Sequence, residues 1–92
     1  MFKITGSAHD FLLSVLEREE DPLYVRVTMG IGWGGPQLKL SLEEQPLKGD
    51  EIYEFGDIKI LIHERDYVYF DHTKLDYVTD VLGKGKLQLI KI

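Results

Sequence analysis

Gly30-Ile31-Gly32-Trp33-Gly34-Gly35 puts four glycines and the chain's only tryptophan into six residues. Apolar residues alternate into this stretch at Leu23, Val25, Val27 and Met29, and out of it at Leu38, Leu40 and Leu42. Alternation with a period of two marks a half-buried strand, so the pattern predicts two strands that meet at a loop. Glycine reaches φ > 0 without a Cβ clash and lets another backbone or a ligand come close. Two readings of the loop follow. One is a binding loop with Trp33 at its tip and Tyr24 and Arg26 at its border. The other is a wide hairpin turn whose Trp33 packs onto the sheet. Tryptophan is enriched at binding hot spots. The expected contact site is therefore Gly30, Gly32, Trp33, Gly34 and Gly35, bordered by Tyr24 and Arg26.

Upstream of the loop, Ala8, Phe11, Leu12, Val15 and Leu16 recur at helical spacing. They predict a helix from about Ala8 to Glu20, capped by Ser7 with Asp10 three residues on, and preceded by a short edge strand over Phe2 to Thr5. The helix stops before Pro22, because the residue preceding a proline disfavours the α region. Glu17, Glu19, Glu20 and Asp21 put negative charge at the end where the helix dipole is already negative. They read as an acidic patch for a basic partner or as a solvated helix end.

Downstream, Pro46 and Gly49 mark residues 43–50 as a loop, and Ile52 to Phe55 reads as a short strand. Ile58, Ile60 and Ile62 alternate cleanly. Leu61, out of phase with them, predicts a strand covered on both faces. His63 to Phe70 has no clean period and predicts a short helical turn with Tyr67 and Phe70 tucked inward. Lys74 to Leu82 reads as a strand with Leu75, Tyr77, Thr79 and Val81 on one face. Gly83-Lys84-Gly85 then turns the chain into a last strand over residues 86–92. The expected architecture is one α+β domain over residues 1–92, mostly β. It has six to eight mainly antiparallel strands and one main N-terminal helix.

Composition narrows the functional classes. The 92 residues carry a net charge of −5, which argues against nucleic acid as a partner. No apolar run nears the ~20 residues of a membrane span, and the N-terminus lacks the apolar region of a signal peptide, so the cytoplasm is the expected location. There is no cysteine, hence no thiolate metal site and no thiol nucleophile. No nucleophile–base set is evident, so a non-enzymatic role with no cofactor is expected. His63, Asp71 and His72, with Glu64 beside them, are weak metal-ligand candidates. They would converge only if the bend between them folds back, and they suit a hard or borderline divalent ion better than a cluster.

The order of these features resembles the HesB-like domain of the A-type iron–sulfur cluster biogenesis proteins. The resemblance rests on Tyr24-Val-Arg-Val27, the Gly32-Trp-Gly-Gly35 loop, Asp50-Glu-Ile-Tyr-Glu-Phe55, Ile58-Lys-Ile-Leu-Ile62 and Leu75-Asp-Tyr-Val78 before the Gly83/Gly85 turn. It spans essentially the whole chain. It implies a compact β-rich sandwich with a helix packed on it. It also implies a carrier that holds iron or a cluster through one cysteine in the glycine loop and a Cys-Gly-Cys pair near the C-terminus. Here the loop position is Trp33, and the other pair has no counterpart in the 92 residues. Indole offers no lone pair to replace a thiolate. The leading expectation is a cysteine-less HesB-like module that binds a protein or a small ligand through the Trp33 loop, with a homodimer among the partners considered. The alternative is iron or cluster assembly through non-cysteine or partner-supplied ligands. A third expectation is a structural partner of cluster-assembly proteins that uses the acidic residues Glu17 to Asp21.

Overall fold

The computed structural model describes all residues from Met1 to Ile92. Seven strands form two sheets. β1 (Phe2–Ile4), β6 (Thr73–Thr79) and β7 (Gly85–Lys91) make a three-stranded sheet in the order β1-β6-β7. β2 (Tyr24–Gly32), β3 (Gly35–Glu43), β4 (Asp50–Phe55) and β5 (Ile58–His63) make a four-stranded sheet in the order β3-β2-β5-β4. The three hairpins are antiparallel, as expected, while β1 with β6 and β2 with β5 are parallel. Parallel neighbours need crossovers: β2 reaches β5 through β3, the loop at residues 44–49 and β4, and β1 reaches β6 through most of the chain.

The main core lies between the sheets and helix α1 (Gly6–Glu17). Val25, Val27, Ile58, Ile60 and Ile62 come from the larger sheet, Phe2 and Leu75 from the smaller, and Ala8 and Leu12 from α1. Phe2 joins the sheets: its ring packs edge-on against Tyr53, Phe55 and Phe70 at centroid distances of 5.5, 6.0 and 5.9 Å. Leu61, also buried, lies outside this core, so β5 is covered on both faces as its out-of-phase leucine predicts.

Helix α1 starts earlier than its apolar stripe suggests. The cap is Thr5, not Ser7: Thr5 is in the β region and its hydroxyl accepts from the Ala8 amide. Ser7 instead donates to Asp76, which also accepts from the Thr5 hydroxyl at 2.7 Å and from the Tyr77 amide. These hydroxyls hold the Asp76 carboxyl below the ordinary carboxylate range. Asp76 therefore ties β6 to the start of α1. The helix ends at Glu17, three residues short of the expected Glu20.

After β5 comes a turn of 3-10 helix, Glu64–Asp66, then the four-residue helix α2 (Tyr67–Phe70), which buries Phe70. β6 ends at Thr79 rather than Leu82. The Asp80 carboxylate accepts from the Leu82 and Lys84 amides and closes a longer turn. Val81, placed on an inward face by simple alternation, stands fully exposed in that turn.

Candidate functional site

The hairpin formed by β2 and β3 runs in unbroken antiparallel register from Tyr24 opposite Glu43 to Gly32 opposite Gly35. Only Trp33 and Gly34 lie between the strands, so the loop is tight rather than wide. Gly34 has φ of 91°, as the second central residue of a type II turn requires, and glycine holds that angle at no steric cost. Gly30 and Gly32 serve a different purpose. A Cβ at Gly30 would fall 2.8 Å from Lys39 Cε, and one at Gly32 would fall 2.6 Å from the Gln37 amide. The missing side chains let Lys39 and Gln37 lie flat across one face of the hairpin. The Gln37 amide also donates to the Trp33 carbonyl at 3.4 Å.

The apolar side chains of this arm are in solvent. Trp33 is 100% exposed and Ile31 is 91% exposed, with Pro36, also exposed, opposite Ile31 in register. Trp33 therefore does not pack onto the sheet. Gly30, Gly32, Trp33, Gly34 and Gly35 are gathered at the tip of one hairpin that projects beyond the last half-buried pair, Met29 and Leu38.

Tyr24 and Arg26 are not part of that tip. In register they face Glu43 and Ser41, at the opposite end of the hairpin, so the expected border of the loop is corrected. Eight residue steps separate Tyr24 from Gly32, about 27 Å at strand rise. Arg26 is 6% exposed and structural. Its guanidinium donates two parallel bonds to Asp50, at 2.7 and 2.6 Å, and a third from Nε to Glu43 at 3.1 Å. Such forked, charge-assisted pairs are the strong class of hydrogen bond. Asp50 Oδ2 also accepts from the Leu47 amide. Arg26 thereby pins the Glu44–Gly49 loop against the face of β2 and β5 that carries Leu61. The Arg26 guanidinium holds the Asp50 carboxyl below its ordinary value, and Asp50 raises the guanidinium in return.

Tyr24 borders a different feature. A cavity of about 480 Å³ opens where the end of α1, the start of β2 and the start of β5 meet. Leu16, Pro22, Leu23 and Tyr24 line it, with Asp21, Glu44, Asp57 and Lys59. Lys59 Nζ lies 5.9 Å from the centre of the Tyr24 ring. A neighbouring hollow shares Asp21, Leu23 and Glu44 and adds Arg18, Glu19 and Glu20. Sequence reading found the acidic run but not the cavity, because Glu44, Asp57 and Lys59 reach it from distant segments.

The weak metal-ligand candidates do not assemble. No three His, Asp or Glu side chains come together in a set that could hold an ion. His63 has both ring nitrogens engaged: Nε2 bonds the Lys48 carbonyl at 3.2 Å and Nδ1 accepts from the Arg65 amide at 3.2 Å. Asp71 pairs with the N-terminal amine, which lowers its carboxyl pKa, and its other oxygen lies 3.5 Å from His72. His72 sits at a positive φ of 58° and is exposed. An iron–sulfur cluster calls for thiolates, and this donor set does not fit one. No helix is long and apolar enough to cross a membrane.

No protein-family model matches the chain. A protein of Aquifex aeolicus (strain VF5) is 31% identical over 88 residues, covering 92% of this chain and 75% of that protein. A solution structure of an Aquifex aeolicus protein superposes with a TM-score of 0.80 at 24% identity, over 99% of this chain and 91% of the other. The crystal structure of Escherichia coli SufA, described as involved in biosynthesis of iron–sulfur clusters, gives a TM-score of 0.81 at 18% identity, over 98% and 84%. The crystal structure of IscA with a [2Fe-2S] cluster gives 0.78 at 18% identity, over 99% and 82%. The chain belongs to one family with the Aquifex aeolicus protein, and it carries, without any cysteine, the HesB-like fold that SufA and IscA share.

Proposed function

We propose that this domain is a binding module whose contact element is the tip of the β2–β3 hairpin. Trp33 and Ile31 make the contact, and the Gly30–Gly35 backbone gives it room. The observation that carries this reading is the complete exposure of Trp33 on an arm held rigid by paired strands. An indole in water forfeits the ~25 cal/mol per Å² that burial returns, and exposed apolar clusters mark interaction sites. Aromatic anchors on rigid elements also lose little entropy when they bind.

Trp33 is the only tryptophan, so its fluorescence reports on this site alone. Free protein should emit like indole in water and be fully open to a soluble quencher. Cross-linking in cell extract should recover a protein that wild type captures and Trp33→Ala does not, with the variant's unfolding transition unchanged. Recovery of the same proteins by both would overturn the reading.

A second reading rests on the fold shared with cluster-bearing IscA. The domain handles iron or a cluster as cargo, with ligands supplied by a partner. Anaerobic incubation with iron and sulfide, followed by metal analysis and a visible spectrum, separates the two. Stoichiometric iron with a charge-transfer band supports cargo handling. A flat spectrum supports the binding module.

A further inference from the structure

The cavity at the base of the β2–β3 hairpin combines an apolar floor with an acidic rim. Leu16, Leu23 and Tyr24 are half-buried and form the floor. Asp21, Glu44 and Asp57 are exposed and stand at the rim. The adjoining hollow shares Asp21, Leu23 and Glu44 and brings Glu19 and Glu20. None of these five carboxylates accepts a hydrogen bond or joins an ion pair within the chain. Two cations stand among them, Lys59 in the cavity and Arg18 in the hollow, so the surface stays net negative. Helix α1 ends here at Glu17 with no basic residue in its last turn, and its carbonyl end adds negative potential at the same place.

This combination selects its occupant. A cation without an apolar stem would leave the floor in water. An apolar group would leave the carboxylates without counter-charge. An arginine side chain meets both conditions: its methylenes cover apolar surface, and its weakly hydrated guanidinium stacks on aromatic rings and forks onto carboxylates. The Tyr24 ring already has Lys59 Nζ at 5.9 Å from its centre, within the range of cation–π attraction. At about 480 Å³ the cavity is within the range that holds a compact ligand. Two adjoining hollows ask for two cations on one ligand. An extended chain turns every second side chain the same way, about 7 Å apart, so one short segment can serve both.

We infer that the double hollow docks a basic segment of a partner protein, one arginine lying over Leu16, Leu23 and Tyr24 towards Glu44 and Asp57, and a second basic side chain lying beside Glu19 and Glu20. The site is at the other end of β2 from Trp33, so it stands apart from the hairpin tip and from the role proposed for it.

Titration of isotope-labelled protein with the peptide acetyl-Arg-Gly-Arg-amide, followed through the backbone amide shifts, tests this. The amides of Leu23, Tyr24, Glu44 and Lys59 should shift at peptide concentrations up to about 1 mM, the weak end of the affinity scale. Glu44→Gln/Asp57→Asn should weaken binding about tenfold, since each such charge pair is worth up to a few-fold. Glu51→Gln/Glu64→Gln removes the same charge at the far end of the β4–β5 hairpin and should bind as wild type does. The amide spectrum itself shows whether each variant is folded, and Glu44→Gln alone replaces the first double variant if that one is not. The lysine peptide acetyl-Lys-Gly-Lys-amide should bind several-fold more weakly. Absence of shifts at the four amides overturns the site, and so does equal weakening in the two double variants, which would reduce the effect to net charge. Equal affinity for the lysine peptide overturns the seating of a guanidinium. Putrescine, a dication with no peptide backbone, would overturn the protein segment as occupant if it bound as tightly. Trp33→Ala should bind the peptide unchanged, and loss of binding there would overturn the site in favour of the tip. Peptide binding that persists while Trp33-dependent capture fails sinks the binding module alone.

Discussion

The two ends of the β2–β3 hairpin invert the usual placement of side chains. At the base, Arg26 is buried and forked onto a fully buried Asp50 carboxylate. At the tip, Trp33 and Ile31 stand in water. The base is closed: each guanidinium nitrogen of Arg26 donates to a carboxylate, and no buried side-chain polar atom of the protein lacks a partner. The tip is open: its apolar atoms meet nothing. One strand pair thus carries a buried charge cluster and an exposed apolar tip, separated by its own length. A substitution should therefore act on stability at one end and on association at the other.

The largest expected effect is at the base. Asp50→Ala leaves the Arg26 charge buried without its main partner, and breaking such a pair costs about 3–5 kcal/mol, read from urea unfolding. Replacing both partners, Arg26→Met with Asp50→Leu, should recover most of that loss, because the desolvation of two charges disappears with them. If the double variant is no more stable than Asp50→Ala, the cluster does more than offset its own burial.

Acid sharpens the same point. The folded Asp50 pKa lies below the 3.8 of a free carboxyl, so its contribution is complete above that value. It is lost as the pH falls from there towards the depressed value. Wild type should lose stability steeply below about pH 4, and Asp50→Ala should show a flatter profile over that interval.

At the tip the effects shrink. Gly34→Ala forces a Cβ into a positive φ and should cost about 1 kcal/mol by the same unfolding measurement. Trp33→Ala should change stability by less than about 0.5 kcal/mol, because the side chain packs against nothing. A larger loss would mean that the indole folds back onto the hairpin in solution, and the contrast between base and tip would weaken.

What sequence could reveal divides along the same line. Ile58, Ile60, Ile62 and Leu61 announce a doubly covered strand because the signal lies within five residues. The alternation around Gly30–Gly35 likewise announces the hairpin. Arg26 was misplaced because its burial depends on Asp50, 24 residues on, and on a loop that closes between them. Arg26 is on the face of β2 opposite Val25 and Val27, and its contact with Asp50 accounts for its burial there. The start of α1 was misread for a similar reason. Ser7 and Thr5 both suit a cap, and what occupies Ser7 is Asp76, 69 residues away. The cavity was invisible because α1, β2 and β5 each contribute only part of it. The exposure of Trp33 was undecided, since neither glycine content nor a lone indole says which way a tip points.

The bond from Thr5 to Asp76 spans 71 residues of sequence, and β1 beside it pairs in parallel with β6, Phe2 against Thr73. During synthesis, α1 can coil and the β2–β3 hairpin can zip as soon as their residues emerge. β1 has no sheet to join until β6 exists. At about 5–20 residues per second that delay lasts several seconds. Phe2, the ring that joins the two sheets, therefore lacks its strand partner Thr73 for that time, and β1 is among the last strands to find its place.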